Sequence, residues 1–134
     1  MKILMPALCA AVFALPLSAL AKPSLRDVPQ IEDGLFAVAL AKEVRDECDS
    51  IDGRVFKAIG VLTSLKREAN QLGYSDDEIR AYIDSQAEKD RMRAKGEKFL
   101  AQNGVSYDNP ETFCTFGRAE IAKNSAIGVL LRAK

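Results

Sequence analysis

An all-α fold is predicted: a compact four-helix bundle with one disulfide, preceded by a cleaved signal peptide. Three observations predict it. Apolar residues recur at spacings of three and four along most of the chain. Capping and turn residues cut that pattern into segments joined by short connections. Two cysteines remain once an N-terminal export segment is removed. No alternating strand pattern competes, and no internal repeat or low-complexity tract is visible.

The chain opens MKILMPALCAAVFALPLSALA. Lys2 gives a basic start, Ile3 to Leu17 an apolar core, and Ala19-Leu20-Ala21 a small-x-small cleavage site, so cleavage is expected after Ala21. An uncleaved anchor fits less well, because the run is short, holds Pro6 and Pro16, and lacks basic stop-transfer residues. Cys9 is a poor lipidation site, since Pro6-Ala7-Leu8 places no small residue next to it. Residues 22–134 then form one domain large enough for its own core. Without Lys2 the mature chain carries 18 basic against 19 acidic residues. That balance supplies no electrostatic footprint for nucleic acid or for an anionic membrane surface, leaving the signal peptide as the expected membrane contact.

In order, Lys22 to Gln30 holds Pro23 and Pro29, lacks periodicity, and reads as an extended arm, a spacer rather than a docking peptide. The helical domain is expected over 31–134. From Ile31 to Cys48, Ala37, Leu40, Ala41, Val44 and Cys48 share one stripe, with Glu32, Glu43, Asp46 and Glu47 opposite. Asp49 to Gly53 has turn composition. A second helix is expected over Arg54 to Leu72, with Val55, Ile59, Leu62, Ala69 and Leu72 inward, Ala58 and Leu65 flanking them, ended by Gly73. Ser75-Asp76-Asp77-Glu78 is a capping box opening a third helix that runs to Leu100. The basic residues of that helix alternate with Asp84, Glu88, Asp90 and Glu97, so a solvated face is expected there and not a phosphate-binding patch. Asn103-Gly104 ends it. The fourth helix is expected over Asn109 to Arg132, with Asn109 as cap and Pro110 in the first turn. Its apolar residues point in most directions around the wheel. Either a central core position or a partner accounts for that.

With Cys9 removed, Cys48 and Cys114 are the two cysteines of an exported chain, and a disulfide is the expected pairing. They are too far apart in sequence for a redox-active dithiol of the Cys-x-x-Cys kind. The sequence has no histidine, so a nucleophile would need a carboxylate or lysine base, and zinc lacks ligands. Asp46 to Gly53 lacks the ligand spacing of a calcium loop. No glycine-rich phosphate loop occurs. No cofactor and no catalytic residue are expected, and the protein is not expected to be an enzyme.

Cys48-Asp49-Ser50-Ile51, Leu72-Gly73-Tyr74-Ser75 with Glu78-Ile79, Tyr82 and Arg91-Met92, and Phe113-Cys114 with Gly117-Arg118-Ala119-Glu120-Ile121 and Ile127-Gly128-Val129-Leu130-Leu131-Arg132 together resemble an uncharacterised family. It is a domain of unknown function with two spaced cysteines, in exported proteins of alphaproteobacteria, chiefly the Rhodobacter and Roseobacter group. The resemblance covers nearly all of the mature chain. It implies a periplasmic location and no activity. An association of such proteins with gene clusters for respiratory complex I hints at an accessory role.

The expected function is therefore a non-enzymatic periplasmic interaction or accessory protein that packs on a protein partner or on itself. Gly117, Arg118 and Glu120 are the interface candidates, although Arg118 and Glu120 also suit surface charges and Gly117 a close helix crossing. The alternatives are a carrier of a small apolar ligand held between helices, or an acid-stress chaperone.

Overall fold

The computed structural model describes residues 21–134. The expected signal peptide, apart from Ala21, and Cys9 lie outside the described residues.

Residues 22–30, expected as an extended arm, fold against the domain instead. A 3-10 turn over Leu25–Asp27 buries Leu25, and Val28 is buried with it. The Tyr74 hydroxyl donates to the Pro23 carbonyl at 2.6 Å, which ties the segment down. Helix α1 (Pro29–Glu47) starts two residues before the expected boundary, with Pro29 in its first turn, where its missing N–H leaves no bond unmade. The predicted inner stripe of Ala37, Leu40, Ala41, Val44 and Cys48 is buried.

After Cys48 the expected turn covers Asp49 and Ser50, and its second half is instead a short strand, β1 (Ile51–Gly53), that leads into α2 (Val55–Gln71). Helix α2 is rotated from expectation. Ala58, Val61, Leu65 and Ala69 face inward, while Val55, Ile59, Leu62 and Leu72 are exposed. Apolar residues cover so wide an arc of this helix that periodicity alone does not select the buried side.

The capping box at Ser75 is formed as expected. Ser75 Oγ accepts from the Glu78 N–H at 3.1 Å, and Glu78 Oε2 accepts from the Ser75 N–H at 2.8 Å. The third helix then breaks in two, α3 (Asp76–Asp84) and α4 (Gln86–Gln102). The break is Ser85, which turns extended (ψ 119°) while its Oγ caps the Glu88 N–H at 3.3 Å. Ser85-Gln86-Ala87-Glu88 repeats the serine-x-x-glutamate spacing of the earlier box.

The last expected helix ends nine residues early. Helix α5 spans Glu111–Lys123, and Asn124 terminates it in the left-handed conformation (φ 49°). Asn109 makes no side-chain cap; Thr112 Oγ1 accepts from the Ser106 N–H and donates to the Asn109 carbonyl. A 3-10 turn (Gly128–Leu130) and strand β2 (Leu131–Ala133) follow. Strand β2 pairs antiparallel with β1, matching Ile51 to Ala133, Asp52 to Arg132 and Gly53 to Leu131. The bend explains the apolar residues seen all round the predicted helix: Phe113 and Phe116 are buried from α5, and Ile127, Leu130 and Leu131 from the turn and strand after it.

The described chain is thus mostly helical, with five helices and a two-stranded sheet in place of a four-helix bundle. Its main core gathers Val44, Cys48, Ile51, Leu100, Phe113, Leu130 and Leu131. A smaller cluster of Leu25, Val28, Ile31, Ala69, Tyr74 and Ile79 holds α3 and the N-terminal turn to α1 and α2. The Cys48–Cys114 disulfide joins the end of α1 to α5, with Cα atoms 5.3 Å apart.

Candidate interaction surface and cleft

Burying Ala58, Val61 and Leu65 turns the other apolar side of α2 to solvent. Phe56 is 90% exposed, and Val55, Ile59 and Leu62 are exposed on the same helix. Gly60, among them, has no neighbour near where a Cβ would stand. Lys66 and Arg67 lie beside this face, while Glu68, the one acid of the helix, lies on the opposite side of the wheel. Lys66 reaches Asp76 at 3.6 Å.

A cleft of about 510 Å³ opens between α1 and α4. Leu35, Ala39 and Leu40 form one wall, and Met92, Gly96 and Leu100 the other. Tyr82 and Ile83 stand at one end and Tyr107 at the other, where the Tyr107 hydroxyl donates to Glu43 at 2.8 Å. Burial, with the Glu43 carboxylate beside it, pushes the Tyr107 phenol well up. A second cleft, about 390 Å³, lies between α2 and α3 and shares Leu35, Tyr82 and Ile83 with the first.

Ion pairs anchor α4 beside this cleft. Glu32, expected on the outer side of α1, is buried, because α4 supplies its partners: Arg91 Nη1 and Nη2 and Lys95 Nζ each donate to it at 2.9 Å. Burial raises the Glu32 carboxyl, but these hydrogen bonds outweigh it and hold the group below the usual carboxylate range. Glu88, also buried, accepts from Arg91 and pairs with Arg26. The hydrogen bonds to Glu32 and Glu88 raise Arg91 further above its ordinary value. A helix expected to be simply solvated is thus clamped along one side. On its other side Lys89 and Arg93, one turn apart at the cleft rim, make no ion pair among the described residues.

The three interface candidates are dispersed. Gly117 is buried against α1 and β1, where an added Cβ would lie 2.7 Å from Val44 Cγ1 and 2.6 Å from Ile51 Cδ1. Glu120 is buried and pairs with Lys123 at 2.7 Å. Arg118 alone is exposed, paired with Glu111 at 2.7 Å. Of the outer face of α2, Val55, Ile59 and Leu62 read from the sequence as core residues; the signal that marks the surface is the surplus width of the apolar arc. Among the described residues no three His, Cys, Asp or Glu side chains cluster as metal ligands. No described helix is long and apolar enough to cross a membrane.

No curated protein and no solved structure matches the chain. Residues 23–132, nearly the whole of the described fold, match a family of unknown function (DUF5333), and the chain belongs to that family.

Proposed function

We propose that this is a non-enzymatic accessory protein of the periplasm that docks on a protein partner through the outer face of α2. One observation carries the reading: Phe56 is 90% exposed beside exposed Val55, Ile59 and Leu62. Exposed large apolar side chains concentrated on one element mark interaction surfaces. The charges choose the partner's chemistry. With Lys66 and Arg67 beside it, the complementary surface is an apolar patch with an acidic rim. Export and the periplasm are supported by the N-terminal sequence and by the Cys48–Cys114 bridge, which suits an oxidising compartment. The resemblance to exported alphaproteobacterial proteins favours an accessory role at a membrane complex.

Crosslinking and affinity mass spectrometry on the exported protein in its own envelope tests this, with Phe56→Asp and Ile59→Asp as comparisons. The expected result is a reproducible partner captured by the wild type and lost in both variants, which stay folded because both sites are exposed. A partner retained by both variants would remove α2 from the reading. A partner-free monomer by light scattering, at high concentration and in the envelope extract, would remove the reading itself.

A further inference from the structure

We propose that the cleft between α1 and α4 is a binding site for a single acyl chain carrying an anionic head group. Gly96 is the first reason. The buried Gly117 and Gly128 are required by their neighbours: a Cβ would lie 2.6 Å from Ile51 at the first and 1.9 Å from the Glu120 carbonyl oxygen at the second. Gly96 is buried in mid-helix, yet a Cβ there would meet Leu40 at 3.6 Å and Phe36 at 3.9 Å, both ordinary contacts. Packing does not demand glycine, and glycine weakens a helix interior. What its missing side chain does is keep the cleft open.

The cleft walls supply the second reason. Leu35, Ala39, Leu40, Met92 and Leu100 make its lining predominantly apolar, and Ile83 at its end is 52% exposed. At about 510 Å³ it is within the range of small-ligand sites. The third reason is the rim. Lys89 and Arg93 line it without ion pairs among the described residues, while Lys42 is engaged by Asp46. Glu43, held by Tyr107, and Glu97 also line it, toward the Tyr107 end, and Glu88 lines it beside Lys89 with its carboxylate already engaged by Arg26 and Arg91. This asymmetry places the anionic head beside Lys89 and Arg93, with the chain lying over Met92, Gly96 and Leu40. A carboxylate and a phosphate both meet that chemistry.

The site is separate from the outer face of α2, and isothermal titration calorimetry on the mature protein tests it with amphiphiles below their micelle concentrations. Dodecanoate and dodecyl phosphate are expected to bind one to one, at least tenfold tighter than dodecyltrimethylammonium. Affinity is expected to rise about fourfold per added CH₂ until the cleft is filled. Ala39→Phe, at an exposed wall position, and Gly96→Leu are each expected to weaken binding at least tenfold, the first standing if the second fails to fold. The double variant Lys89→Glu/Arg93→Glu is expected to abolish the preference for anionic heads. Lysophosphatidylglycerol binding tighter than dodecanoate would point to a membrane lipid as the natural source, and the reverse order to a free fatty acid. Equal affinity for both head charges, or undiminished binding in Ala39→Phe, would overturn the proposal. Phe56→Asp is expected to leave amphiphile binding unchanged; its loss there would move the site away from α1 and α4.

Discussion

Gly128 and Gly96 are both buried, and substitution should move stability in opposite directions. A Cβ at Gly128 would lie 1.9 Å from the Glu120 carbonyl oxygen and 2.2 Å from its carbon. These are backbone atoms of α5 that cannot swing aside. Gly128→Ala is expected to cost about 3 kcal/mol. Gly96→Ala meets only Leu40 and Phe36 at ordinary distance, and is expected to stabilise by about 0.5–1 kcal/mol. Urea midpoints of the two variants check both signs. Glu32 gives a pH prediction. Its carboxyl is held below the ordinary glutamate value in the folded protein, because the hydrogen bonds from Arg91 and Lys95 overcome burial. The unfolded chain therefore binds more protons on the acid side. The stabilisation is complete above about pH 4.5 and is lost as pH falls through the lower folded value. Glu32→Gln is expected to cost about 2 kcal/mol at pH 7, and the gap to wild type should narrow by pH 3. Unfolding curves at the two pH values decide it. None of this was legible in α1 alone: Glu32 reads as an outer residue until α4 brings Arg91 and Lys95 to it.

At the scale of elements, two serines show what local sequence encodes. Ser75 and Ser85 each stand three residues before a glutamate, Glu78 and Glu88. At Ser75 both halves of the box close; at Ser85 only the hydroxyl half does, because the Glu88 carboxylate is taken by Arg26 and Arg91. Ser75→Ala and Ser85→Ala are each expected to cost about 1 kcal/mol, read as a lowered thermal midpoint with helical content nearly unchanged. The second spacing was available in the sequence, yet the helical residues on both sides of Ser85 concealed a break of one residue. Asn124 was a comparable signal, since asparagine tolerates the left-handed conformation that ends a helix. The rotation of α2 was not legible. Its two apolar sides are equivalent in pattern, and contact with α1 chooses between them.

For the whole molecule, the disulfide and the two-stranded sheet do related work. The bridge joins residues 66 apart, and β2 returns the C-terminus to the segment just after Cys48, where the Lys134 N–H donates to the Ser50 carbonyl at 3.0 Å. Both hold the α1–β1 corner against α5 and the chain that follows it. Replacing Cys48 and Cys114 together by serine is expected to lower stability by about 4 kcal/mol through the freed loop entropy of the unfolded chain. Denaturant unfolding of that variant, beside wild type under oxidising and reducing conditions, checks it. Reduced wild type should approach the variant. The same bracing holds α2 along one side only, and the docking reading places the partner on its other, exposed side.

By itself the sequence determined the helical class, the starts of α2 and α3, the pairing of Cys48 with Cys114 and the buried stripe of α1. These depend on local propensity, on capping within four residues, or on counting cysteines. Only the tertiary structure decided that Glu32 is buried, that α2 shows Phe56 and Ile59 to solvent, that the chain after Asn124 turns back as a strand, and that α1 and α4 leave a cleft beside Gly96. Each of those is settled by residues distant in sequence, whose contacts choose among local arrangements that the chain alone holds nearly equal.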